Sequence, residues 1–337
     1  MIAFYNQFHP FMSSPIESVL WNDWFPVARS QNLIAGSLIS VTLFETEVVI
    51  WRAHSGALMA WTDRCPHRSV KLSSGKVEGD TLVCSYHGMV YDCRGQCIKV
   101  PAHPNFLPSS AAIVQSYRVN EQYGLIFICL GNPQKSIAPF PEWKNSNFVT
   151  VLCGSYSIPC SGLRAIENFL DLSHLAIVHR GRLGVPDQAS ISDYTVTTDE
   201  DGVHIEDASL WQPDPMGDGC GSTVHYNYWI ISPLTAYLRK TTSTNHSLSI
   251  LLWATPTSQE SCLGWMLMSV HSSVSTDESA LEAFQDAIVQ QDIEVLANHS
   301  LKRLPLETQL EFHVQSDRGS IAYRKWLKTL GVSYGTM

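Results

Sequence analysis

Cys65-Pro66-His67-Arg68 and, further along, Cys84-Ser85-Tyr86-His87-Gly88 are the stretches on which the reading of this chain turns. Each sets a thiol and an imidazole close together, so two short loops offer four metal donors: Cys65, His67, Cys84 and His87. Thiolate and imidazole both suit zinc. Structural zinc sites usually pair their first two ligands as cysteine with cysteine, and Cys-x-His departs from that habit. Mixed ligation of this kind suits a [2Fe–2S] cluster, with two thiolates on one iron and two imidazoles on the other. Each loop then gives one ligand to each iron, and the two loops clamp the cluster from both sides.

At these residues the chain resembles the Rieske family. The Cys-Pro-His-Arg run, the spacer before Cys84 and the Cys-x-Tyr-His-Gly run stand as that family has them. Ser85 sits where many members have proline and Met89 where many have tryptophan; neither is a ligand.

Composition sets the class. The chain has 337 residues, of which 45% are hydrophobic and 16% charged, enough for one large or two ordinary globular domains. A formal charge of −9 argues against a nucleic-acid partner, because phosphate binding needs a basic footprint. Met1 to Ser14 has neither the basic start nor the apolar run of a signal peptide. No apolar run is long enough to cross a bilayer, so no membrane partner is expected. The nine cysteines, an odd number without an export signal, point to a reducing cytoplasm rather than a disulfide scaffold. Cys93 and Cys97 flank Arg94-Gly95-Gln96 and read as a hairpin just past the cluster.

Patterning divides the chain. From Trp21 to about Leu130, short apolar runs alternate with turns: Ser37–Arg52 and Ala57–Thr62 read as strands, and Tyr123–Leu130 as a buried one. The proline-bearing segment Gly131–Trp143 reads as a linker. Strands follow near Phe148–Pro159, Ser192–Thr198, Val203–Trp211, Val224–Ile231, Leu248–Ala254 and Leu263–Ser272. Helices are expected at Gly162–Val178 and Glu278–His299, with a polar tail after them. The expected fold class is α+β. An all-β [2Fe–2S] domain over 1–135 precedes a catalytic domain over 136–337, whose antiparallel sheet is covered on one face by helices.

A second site is expected downstream. Asn168, Asp171 and His174 are three apart in succession, as neighbours on one helix would be. His179 follows five after His174, so both can face one metal only if the helix distorts or ends between them. A facial triad also needs a carboxylate, with positions left open for oxygen. On the helix at 278–299, Asp292 falls in the apolar stripe of Leu281, Phe284, Ile288 and Leu296, whereas Glu282, Asp286 and Glu294 lie off it. A carboxylate on a buried face needs a partner or a metal. The run from Asn168 to His179 is similar to that of the Rieske non-haem iron oxygenases. The resemblance implies mononuclear Fe(II) held by His174, His179 and Asp292, with Asn168 beside it. It also implies that Asp171 orients His174 and bridges to His67 or His87 of a neighbouring subunit, which requires a head-to-tail homotrimer.

As the family works, electrons from NAD(P)H reach the oxygenase through a separate reductase or ferredoxin, and O2 is the co-substrate. No Gly-x-Gly-x-x-Gly follows a strand, so no nicotinamide site is read in this chain. The compact catalytic part resembles vanillate and dicamba demethylases and toluenesulfonate methyl-monooxygenase. Ser316-Asp317-Arg318 and Ile321-Ala322-Tyr323 are similar to hydroxylases that tailor guanidinium alkaloids. The expected function is therefore monooxygenation, as hydroxylation or oxidative demethylation, of a small molecule such as an aromatic acid or an alkaloid. The alternatives are a Rieske electron carrier without oxygen chemistry and a ring cis-dihydroxylating dioxygenase. Trp211, Tyr226, Tyr228, Trp229 and Trp253 are candidates to line the substrate pocket.

Overall fold

The computed structural model describes residues 16–337 apart from 107, 216–218, 243–245, 276 and 308. Met1 to Ser14, read above for an export signal, lies outside the described residues. Strand patterning builds three antiparallel sheets. The first has six strands in the order Phe25–Arg29, Leu125–Cys129, Ser116–Gln122, Leu58–Thr62, Thr46–Arg52, Leu38–Leu43. A four-stranded sheet of three-residue strands, Lys76–Glu78, Thr81–Val83, Val90–Asp92 and Cys97–Lys99, carries one cluster loop. A small core between these two sheets includes Trp51, Trp61, Leu82 and Tyr91, and both Cys65 and Cys84 belong to it.

The third sheet has seven strands, Phe148–Ile158, Ser261–His271, Ser247–Ser258, Thr235–Thr242, Ser222–Ser232, Gly202–Gln212 and Thr195–Asp199 in spatial order. One face packs the main core. The other is partly covered by the first sheet: Leu251, Trp253, Trp265 and Leu267 pack against its Leu125 and Phe127. Ile137 and Phe140, from the segment expected to be a linker, are buried in the same cluster. That double coverage is why Ser247–Ser258 is buried along nearly its whole length and reads as a continuous apolar run.

Among the described residues four α-helices accompany the sheets: α1 (Ser18–Trp21), α2 (Gly162–Leu170), α3 (Glu278–Asn298) and α4 (Arg318–Thr329). Ser161 caps α2 by accepting from the Arg164 amide at 3.2 Å, and Asp277 caps α3 by accepting from Ala280 at 3.0 Å. Elements appear where none was expected. The strand Thr235–Thr242 was not expected, and the supposed polar tail contains α4. Both hide a basic residue that reads as solvent-facing: Lys240 is 3% exposed and Arg324 2%. Arg324 joins Arg164, Glu167 and Glu311 in a closed ring of alternating charge. Glu167 receives Arg164 at 2.7 Å and Arg324 at 2.5 Å, and Glu311 receives Arg164 at 2.7 Å. The ring ties α2 to α4, and so fixes where α2 delivers the chain to the second site.

Candidate functional site

The two loops of the first site have the same backbone plan. The Cys65 amide donates to Val70 O at 2.8 Å, and the Ser69 amide to Cys65 O at 3.0 Å. In the second loop the Cys84 amide donates to Met89 O at 2.9 Å, and the Gly88 amide to Cys84 O at 3.1 Å. The fourth residue after each cysteine turns back through a left-handed conformation, with φ 60° at Ser69 and 66° at Gly88. Glycine suits such a position because it has no Cβ to clash. Two short backbone closures therefore aim each cysteine inward and each histidine outward. Cys65 and Cys84 are 3% and 2% exposed and face one another, whereas His67 and His87 are exposed with their Nδ1 atoms 3.2 Å apart.

Sulfur with sulfur below and nitrogen with nitrogen above is the segregation a two-iron cluster of mixed ligation needs, and these residues fit one. The Tyr91 hydroxyl lies 3.1 Å from Cys65 Sγ. Burial first, then the neighbouring Cys65 thiol, hold the Tyr91 phenol well above its ordinary range, so it keeps its proton, and toward a cluster-bound thiolate at Cys65 it would be the donor. Sequence alone gave no signal for this partner. Of the two departures from the family pattern, Ser85 Oγ bonds Ser74 Oγ at 2.7 Å, and Met89 Sδ lies 3.7 Å from the Tyr91 hydroxyl.

The second site begins where α2 ends. That helix was expected to run to Val178, yet it stops at Leu170, and Asp171 is extended. Asp171 Oδ1 accepts from the Ser173 amide at 2.7 Å, a local turn that competes with the helix. Beyond it the chain makes two successive turns, each opened by a histidine. His174 O accepts from Ile177 and Val178, and His179 O from Arg182 and Leu183. The five-residue spacing thus places both rings at the same point of consecutive turns, which a continuous helix would not do.

Both Nε2 atoms converge on Asp292 Oδ1 from α3. The separations are 3.2 Å between the nitrogens, 3.3 Å from His174 and 3.2 Å from His179. Three neighbouring corners of an octahedron with bonds of about 2.1 Å lie about 3.0 Å apart, so this triangle fits one cation. Asp292 Oδ1 is buried and makes no well-formed hydrogen bond, as expected of a metal ligand. Burial alone would push the His174 imidazole down, but Asp171 and Asp292 outweigh it and hold it up at about 9. The site is therefore built to hold positive charge. Asp171 Oδ2 lies 3.4 Å from His174 Nδ1 on the far side of that ring. On His179 the matching place is taken by Gln291, whose Oε1 is 2.9 Å from Nδ1 and fixes the tautomer. Only tertiary contact reveals Gln291.

His174, His179, Asp292 and Asn168 line a largely apolar cavity of about 870 Å³, its open mouth included. Its floor is the inner face of the seven-stranded sheet. Tyr226, Lys240 and Leu248 lie in one row across three strands, and Tyr228, Leu238 and Ile250 in the next. Strand periodicity sorts the expected aromatics. Tyr226 and Tyr228 face the cavity, but Trp229, one residue on, stacks against His204 on the opposite face. Trp253 is in the cluster behind the sheet, and Trp211 is not among the cavity residues.

Comparison with known proteins places these two halves in known families. The Rieske [2Fe-2S] domain pattern matches residues 23–118, and that of the vanillate O-demethylase oxygenase C-terminal domain matches 158–332. A probable methylxanthine N7-demethylase, NdmC of Pseudomonas sp. (strain TJI-51), is 35% identical over 64% of this chain and 77% of its own length. Methylxanthine N1-demethylase NdmA of Pseudomonas putida is 29% identical over 87% of this chain and 82% of its own. The solved structure of NdmA from Pseudomonas putida CBB5 superimposes with a TM-score of 0.77 at 27% identity, covering 92% of this chain and 90% of that one.

Proposed function

Because the chain belongs to the Rieske non-haem iron oxygenases, with a catalytic half of the vanillate O-demethylase type, we propose that it oxidatively removes a methyl group from a small organic substrate. The observation that carries this reading is the triangle of His174, His179 and Asp292 set against a largely apolar cavity. An electron carrier has no use for such a cavity. In this reading the cluster ligands are Cys65, His67, Cys84 and His87, and the mononuclear Fe(II) ligands are His174, His179 and Asp292. The first domain is 1–135 and the second 136–337.

The two metal centres supply stored electrons and activation of O2 once bound. The rest belongs to this chain. The apolar walls exclude water and hold the methyl group against the open face of the triangle. Gln291 and Asp171 set the two imidazole rings, and Asn168 lines the cavity beside them. Overall, one oxygen atom enters a methyl C–H bond, and the resulting hydroxymethyl group leaves as formaldehyde. The other atom becomes water, consuming two electrons and two protons. A separate reductase or ferredoxin supplies the electrons from NAD(P)H. We further propose a cytoplasmic homotrimer, in which Asp171 meets His67 or His87 of the next subunit. The exposure of both histidines, and of a third of the Asp171 side chain, supports that contact.

Iron- and sulfide-reconstituted protein, given NADH, a generic Rieske reductase and a panel of N- and O-methylated substrates, is expected to release formaldehyde in step with NADH consumed. Hydroxylated product without formaldehyde would make it a hydroxylase instead. A cis-diol, or no oxygenated product across the panel, would overturn the reading.

A further inference from the structure

We propose that Lys240 is the specificity-determining residue of the cavity, its ammonium receiving an anionic oxygen group of the substrate: a carboxylate, sulfonate or phenolate. The inference rests on the demethylase reading and names the class of molecule that the cavity takes.

Lys240 sits in the cavity floor, paired across the sheet with Tyr226 and Leu248, and its residue is only 3% exposed. An ammonium has three donors. One reaches Pro215 O at 2.9 Å and another Gln212 Oε1 at 3.3 Å, both neutral acceptors. Among the described residues no acceptor takes the third. The nearby carboxylate, Asp214, is exposed and accepts from the Gly219 amide at 3.0 Å. Burial lowers the Lys240 amine to about 8, Asp214 only partly opposing it, so the group remains largely charged at neutral pH. A buried cation whose hydrogen-bond partners among the described residues are all neutral is costly beside the aliphatic Leu238, Leu248 and Ile250. An anionic group entering the cavity would offset that cost.

The lysine is also held in register with the metal site. Gln212 donates through Nε2 to Tyr226 Oη at 2.7 Å and to Leu183 O at 3.0 Å, which obliges its Oε1 to face Lys240. Leu183 closes the turn that His179 opens. A substrate anchored at Lys240 therefore has its reacting carbon positioned by the same short chain of contacts that positions an iron ligand.

The test is binding without turnover. Affinities of anaerobic, iron-loaded protein are measured by calorimetry for 4-methoxybenzoate, 3-methoxybenzoate and 4-methoxyphenylacetate, each against its neutral primary amide. At least one acid is expected to bind tenfold or more tighter than its amide. Lys240→Met should reduce that ratio to within twofold, and Lys240→Arg should retain most of it. Should Lys240→Met fail to fold, Lys240→Gln carries the same expectation. If no acid outbinds its amide, or the preference persists in a folded Lys240→Met or Lys240→Gln protein, the proposal is wrong. Formaldehyde assays are read separately: acid preference without demethylation would sink the demethylase reading alone, and demethylation without acid preference would sink this one alone.

Discussion

The two donor sets of this chain are built on opposite plans. The first is local: Cys65 with His67, and Cys84 with His87, each held by a loop that closes on itself with two backbone hydrogen bonds. The second is assembled at a distance, with two histidines from the turns after α2 and Asp292 from α3. The first keeps its histidines exposed, whereas His179 in the second is 1% exposed. A site closed by its own loops depends little on the rest of the fold. A site assembled from separate elements is only as well placed as the packing between them.

The strongest challenge to that contrast is to remove one ligand from each proposed site. Asp292→Ala should abolish iron at the second site and lower turnover by more than about a hundredfold, leaving the optical and EPR signature of the cluster intact. Cys84→Ala should do the reverse. If either substitution emptied both sites, the two sites would not be independent. Next in size is the charge ring. Arg324→Ala leaves Glu167 and Glu311 short of a partner and should cost about 3–5 kcal/mol. The expected readout is a lower thermal midpoint with weaker iron retention at the second site, while the cluster spectrum of the folded protein stays unchanged.

A smaller effect is expected at Gln291. Gln291→Leu frees the His179 ring to choose the wrong tautomer and should weaken iron binding by roughly 10–100-fold in a chelator competition. No change would mean that packing alone sets the ring. The smallest effect belongs to the local site. Tyr91→Phe removes a donor to Cys65 sulfur that favours the more negative, reduced cluster. The reduction potential should fall by tens of millivolts, on the order of one hydrogen bond. Iron affinity at the second site should not move, and a shift there would show the two plans to be coupled.

The candidate donors of the first site could be named from the sequence, and the all-β character of their surroundings was legible in it, because paired loop donors and period-two strands are short-range features. His174, His179 and Asp292 could also be named, but the reason they meet could not. The spacing suggested one helix over Gly162–Val178, whereas an Asp171 turn ends it and sets two histidine-led turns in its place. Tertiary structure alone decided the rest. Gln291 and Tyr91 became partners of His179 and Cys65 only through contacts between separate elements. Lys240 and Arg324 were turned inward, against the usual preference of basic side chains, and carried an unexpected strand and an unexpected helix with them. A charged residue in a sequence is read as solvent-facing because burying it unpaired is costly; only the folded chain can supply the partners that change that balance.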